Sequence, residues 1–163
     1  LKELEDSYGI TNYRFHITLP QSSSVLPIIE KKIKEFGLEQ RIVNHGNLKQ
    51  EELALLYRKC KISFLPSVLE VFSASTIEAM YFHLPTVATD LLFNTEVFAD
   101  ACLYYTPMDY KEAAKQIVRA VTDDDLRCVL LEKMKTRLAQ FSSFDKYFND
   151  TVDFLVAISN NKQ

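Results

Sequence analysis

Five short runs rich in β-branched and aromatic residues recur along this chain, and helical patterns separate the first four of them. The runs are YRFHITL (13–19), RIVNHG (41–46), KISFLP (61–66), PTVAT (85–89) and ACLYY (101–105). Between them, 22–36, 48–60 and 73–82 read as helices, while the stretch before ACLYY reads as a loop. Strands joined through helices by short connections pair in parallel and need cover on both faces. The fold class that follows is α/β, a doubly wound parallel sheet. Three further amphipathic stretches, 109–121, 124–139 and 144–158, extend it with C-terminal helices.

Local signals support the helices. In 22–36, serine hydroxyls are available as caps, Ile29, Ile33 and Phe36 recur at helical spacing, and Gly37 closes the run. In 48–60, Leu53, Leu56 and Tyr57 share a face, and acids near the start suit the helix dipole. The opening LKELEDSYG reads as the last turns of a helix with Gly9 just past its end. A helix end calls for a strand before it, so the first strand of the domain is expected upstream of residue 1. In the order 3-2-1-4-5-6 that strand is central. If 13–19 is the second strand, a strand's width separates it from 61–66; if nothing is missing, the two pair directly.

Composition bounds the function. With 163 residues, 47% hydrophobic and 25% charged, the chain can form one domain with a sizeable core. A net charge of −3 with both signs interspersed argues against a nucleic-acid surface. Cys60, Cys102 and Cys128 are scattered and form no CxxC pair, and His16, His45 and His83 are far apart in sequence. Neither a disulfide framework nor a structural zinc is expected, and a reducing cytoplasm fits best. No apolar run is long enough to span a membrane, and the charged opening is not a signal peptide.

The chemistry concentrates in 66–90, PSVLEVFSASTIEAMYFHLPTVATD. In a doubly wound sheet, ligands bind outside the carboxyl ends of the strands, and helix amino termini attract anions. The loop after KISFL leads into such a terminus, where Ser73 and Ser75 leave the backbone uncrowded. A phosphate site is one reading, and an empty α/β loop is the other. Glu70 in the loop and Glu78 on the helix suit sugar hydroxyls, which donate to carboxylates; both also read as solvated surface charges.

Resemblance decides between them. Gly46 after RIVNH, EELALLYRKC, and PSVLEVFSASTIEAM with Pro85 and Asp90 downstream resemble the C-terminal donor-binding domain of retaining glycosyltransferases of family four, of GT-B fold. The match runs from about 41 to 90, and more loosely through ADACLYYTPMDYKEAAKQI to about 147. It implies a hexosyltransferase that moves a sugar from a nucleotide-diphosphate sugar to an acceptor hydroxyl, as in polysaccharide synthesis. By the same resemblance Glu70 is the catalytic, donor-sugar glutamate and Glu78 holds the ribose. Backbone amides near Phe72 and Ser73 meet the diphosphate, Gly46 and Asn47 border the nucleobase, Ser67 belongs to the Pro-Ser motif, and Asp90 ends the neighbouring strand. No metal or other cofactor is implied.

Departures from the family pattern also carry information. Val71 and Ser73 replace the two glycines of Glu-Gly-Phe-Gly, and His83 replaces that of Gly-x-Pro. The diphosphate-neutralising Arg and Lys of the family belong to the first strand and helix, so they are expected upstream; Arg14, Lys49 and Lys61 have the wrong sequence context. Residues 1–163 are therefore read as one nucleotide-sugar-binding domain, inactive alone, whose partner is a missing N-terminal acceptor domain. Any peripheral membrane contact is expected through that half only. The lost glycines leave a second reading, a degenerate non-catalytic nucleotide-binding or assembly module. A phosphatase-like or response-regulator domain is disfavoured, because Asp90 lacks an acidic cluster.

Overall fold

A computed structural model describes residues 1–71, 73–141, 149 and 151–153. The described elements run α1 (Lys2–Asp6), β1 (Phe15–Ile17), α2 (Leu26–Glu35), β2 (Ile42–Asn44), α3 (Gln50–Tyr57) and β3 (Ser63–Leu65). They continue with α4 (Ala74–Tyr81), β4 (Thr86–Thr89), α5 (Leu92–Phe98), β5 (Leu103–Tyr105), α6 (Tyr110–Thr122) and α7 (Asp124–Leu138). Every ladder is parallel, as alternation with helices demands.

The strands form two sheets. β1 pairs with β2, Phe15 opposite Ile42; β3, β4 and β5 pair in that order, Phe64 opposite Val87 and Val87 opposite Leu103. No ladder joins β1 to β3 among the described residues. A side-chain contact bridges that interval: the Phe15 ring meets Phe64 edge-on at 6.1 Å, and Phe64 in turn stacks on Tyr105 at 5.7 Å.

The core lies around the three-stranded sheet. On one face Met80, Ala88, Phe98 and Met134 are closed from solvent, which packs α4, α5 and α7 together. On the other, Val87, Leu103, Ala113, Ala120 and Leu130 join the sheet to α6 and α7. α6 starts on Asp109, whose carboxylate accepts from the Lys111 and Glu112 amides. α7 is tied to the end of α5 by Arg137, which donates to the last carbonyls of that helix, Glu96 O and Val97 O.

Three expectations need correction. Residues 92–98, read as loop, form α5. Its inward face holds Asn94 and Phe98, and a buried polar Asn94 hides the helical periodicity. No serine hydroxyl caps α2. Its N-cap is Val25, with Pro27 in the first turn where no N–H is needed, and Ser23 Oγ instead accepts from the Val25 amide at 3.3 Å. All five strands are also shorter than their sequence runs. Helix 144–158 falls mostly outside the described residues; 149 and 151–153 are helical.

α4 ends in a way that explains the family glycine. His83 N–H bonds to Met80 O and Leu84 N–H to Ala79 O, the paired bonds of a Schellman motif. Its left-handed position, φ 53°, falls on His83. A side chain there costs roughly 1–2 kcal/mol that glycine would avoid.

Candidate functional site at the carboxyl ends of the strands

The turn after β2 is organised by Asn44, the last residue of that strand. Its side-chain amide meets Leu19 as a backbone would, Oδ1 accepting from Leu19 N–H and Nδ2 donating to Leu19 O, both at 3.0 Å. The same Oδ1 accepts from Gly46 N–H at 3.1 Å. Asn44 thus binds the loops after β1 and β2 together and bends the chain at Gly46, whose φ of 65° favours glycine. Gly46 is buried and Asn47 exposed at the rim. Beside them His16 Nδ1 and His45 Nε2 lie 2.9 Å apart with their rings stacked. Burial, and then the neighbouring His45 and Arg14, hold the His16 imidazole below its ordinary pKa.

The loop after β3 rests on a buried polar chain. Asn94 Nδ2 donates to both the carbonyl and the hydroxyl of Thr89, at 3.0 and 2.9 Å. Thr89 Oγ1 in turn donates to Ser67 O at 2.7 Å, and Ser67 Oγ donates to Glu70 Oε1 at 3.1 Å. Thr89 and Asn94 are 0% and 1% exposed, so each bond replaces hydration that neither residue can recover. The chain links the end of β4 and the start of α5 to the Glu70 carboxylate. Around Glu70 the apolar side chains of Val68, Leu69 and Val71 face solvent.

That loop ends at Ser73, the N-cap of α4, whose own side chain makes no cap bond. Glu78 lies farther along α4, half-buried, and accepts from Tyr57 Oη at 2.9 Å through Oε2. Tyr57 stacks on Phe82 with ring centroids 5.0 Å apart. Burial first, and then the bond to Glu78 and its charge, push the Tyr57 phenol well above its ordinary pKa.

The predicted residues therefore fall in two groups. Ser67, Glu70, Ser73 and Glu78 line the loop and helix after β3, whereas Gly46 and Asn47 belong to the turn after β2; Phe72 lies outside the described residues. Asp90 directly follows β4, its N–H bonding to Tyr105 O. Sequence reasoning missed Asn44, Thr89 and Asn94, and saw Tyr57 only as a helix-face residue. An Asn two residues before a glycine at a strand end is a legible turn signal; Thr89 and Asn94 meet only in three dimensions. Among the described residues no cluster of three or more His, Cys, Asp or Glu side chains is placed to hold a metal ion. None of the described helices is long and apolar enough to cross a membrane.

Comparison with known proteins agrees with this architecture. The chain is 30% identical over 94 residues to mannosylfructose-phosphate synthase of Agrobacterium fabrum, covering 56% of this chain and 21% of that protein. It is 26% identical over 142 residues to the serotype-specific mannosyltransferase WbdA of Escherichia coli, covering 86% of this chain and 17% of the other. The chain thus spans about a fifth of the length of these curated relatives. The crystal structure of Anabaena Alr3699/HepE in complex with UDP-glucose superimposes with a TM-score of 0.75 at 18% identity, over 84% of this chain and 38% of that one. This likeness identifies the fold as that of GT-B glycosyltransferases. Residues 28–137 match the family described as "Glycosyl transferases group 1", so this chain belongs to that glycosyltransferase family.

Proposed function

We propose that this chain is the donor-binding half of a retaining glycosyltransferase that transfers a hexose from a nucleotide-diphosphate sugar to an acceptor hydroxyl. The observation that carries this reading is the pair Glu70 and Glu78. One lies in the loop after β3 and the other in the helix which that loop begins, within a chain of this family. Structural neighbours bound to UDP and to UDP-glucose support a nucleotide-sugar donor. Relatives named for mannosyl transfer and mannosylfructose-phosphate synthesis support hexose chemistry, with glycan or polysaccharide as the product class.

In this reading Glu78 accepts hydrogen bonds from the ribose diol and Glu70 from a hydroxyl of the donor sugar. The amides at the start of α4 meet the diphosphate, and the Gly46–Asn47 turn borders the base. The barrier is dominated by charge developing on the departing diphosphate, so preorganised donors and cations there are the main lever. Those cations, the acceptor-binding half, and a strand filling the interval between β1 and β3 are assigned to other parts of the same protein. A cytoplasmic setting is supported by three free cysteines.

The replaced glycines leave the backbone of this loop unstrained. Neither Val71 nor Ser73 sits at positive φ, and the Val71 side chain is wholly exposed. The backbone there adopts no left-handed conformation that would favour glycine.

Calorimetry on the full-length protein tests the reading. Glu78→Gln should weaken nucleotide-diphosphate binding by about tenfold to a hundredfold, the worth of a charge-assisted hydrogen bond. Glu70→Gln should lower turnover more than it weakens the bare nucleotide. Silence toward every nucleotide sugar, with the fold intact, would favour the non-catalytic module instead.

A further inference from the structure

We propose that Tyr57 is a positioning residue for Glu78, fixing its carboxylate so that one oxygen is held by the protein and the other is presented to the ribose diol. The inference rests on the donor-site reading of Glu78 and adds a residue from a different helix to it. The geometry is direct: Tyr57 closes α3, Glu78 lies within α4, and Tyr57 Oη donates to Glu78 Oε2 at 2.9 Å.

Two features make this contact more than a chance pairing of surface groups. The first is that the phenol is itself held. Its ring lies almost parallel to Phe82, with 11° between planes, and Tyr81 packs edge-on against Phe82 at 5.1 Å. Phe82 is the C-cap of α4, four residues beyond Glu78, so one helix turn carries both the ring that seats Tyr57 and the carboxylate it grips. The second is that the donor is permanent. Burial and the facing carboxylate keep the phenol protonated through the working pH range of enzymes.

A glutamate on a helix has three rotatable bonds, and a ligand that must immobilise it loses affinity in doing so. Tyr57 makes that loss before the ligand arrives. One hydrogen bond to Oε2 leaves Oε1 and the remaining lone pairs for two ligand hydroxyls.

The test compares UDP and GDP with their 2′-deoxy forms by calorimetry on the full-length protein, using whichever base binds. The variants are Tyr57→Phe, Glu78→Gln and the double mutant. Tyr57→Phe keeps the stack on Phe82, and near-ultraviolet circular dichroism checks that the fold is unchanged. We expect it to weaken the ribonucleotide about three- to tenfold and the 2′-deoxy form, which keeps only the 3′-hydroxyl, by less, so the ratio between the two falls. The double mutant should bind no more weakly than Glu78→Gln. Equal weakening of both nucleotides, or of neither, would mean that Tyr57 merely joins two helices. If Glu78→Gln leaves the ribo-to-deoxy ratio unchanged, the donor-site reading fails and takes this proposal with it. A Glu78→Gln effect without a Tyr57→Phe effect sinks only the positioning role.

Discussion

The two sheets of this domain differ in how far they are closed. Every residue of β4 is buried, as are the ends of β5, whereas all six residues of β1 and β2 remain half-exposed. Both large buried clusters draw on residues from 62 onward. Yet the candidate site uses both halves: Glu70 and Glu78 stand on the closed one, and the Gly46–Asn47 turn on the open one. In the proposed reading, the sugar and ribose contacts stand on a well-buried support, while the turn proposed to border the base depends on local hydrogen bonding by Asn44.

Matched truncations should expose that asymmetry most strongly. Phe98 is fully buried and Phe15 is not. Phe98→Ala should cost about 3–5 kcal/mol in denaturant unfolding of the full-length protein, and Phe15→Ala less than half of that. Equal costs would mean that β1 is as tightly covered in the whole protein as α5 is here.

A smaller effect probes the support beneath Glu70. Thr89→Val keeps the shape but strips the Ser67 carbonyl of its buried donor, and Asn94 of one acceptor. We expect a loss of about 1–3 kcal/mol in stability, together with a lower kcat at nearly constant KM for the donor. A stability loss with unchanged turnover would show that the buried chain holds the fold but does not set Glu70.

The smallest effect belongs to the open half. His16 has its pKa lowered in the folded state, so the unfolded chain takes up a proton first as pH falls below the ordinary histidine value near 6.5. Stability from this group is therefore full above that value and declines below it. Because the pair is partly exposed, solvent screening keeps the change to a few tenths of a kcal/mol. His16→Gln should flatten that decline below about pH 6.5 in local hydrogen exchange of β1 and β2. An unaltered pH profile would assign the decline to other groups.

Periodicity and turn chemistry alone determined most of the architecture. Apolar spacing marked α2, α3, α4, α6 and α7, glycine marked the turn at 46, and alternation with helices made the strands parallel, because each of these is decided by neighbours within a few residues. The motif of 66–90 likewise made Glu70 and Glu78 legible as a pair. Tertiary structure decided what depends on distant partners. α5 escaped notice because its buried Asn94 is satisfied by Thr89, and a buried polar residue carries no helical signature in one dimension. The grip of Tyr57 on Glu78 joins residues 21 apart. The strand order 3-2-1-4-5-6 raised the division into two sheets as one of two alternatives, and tertiary structure decided between them, because each strand has the same apolar composition whether its neighbour is a ladder or an interval.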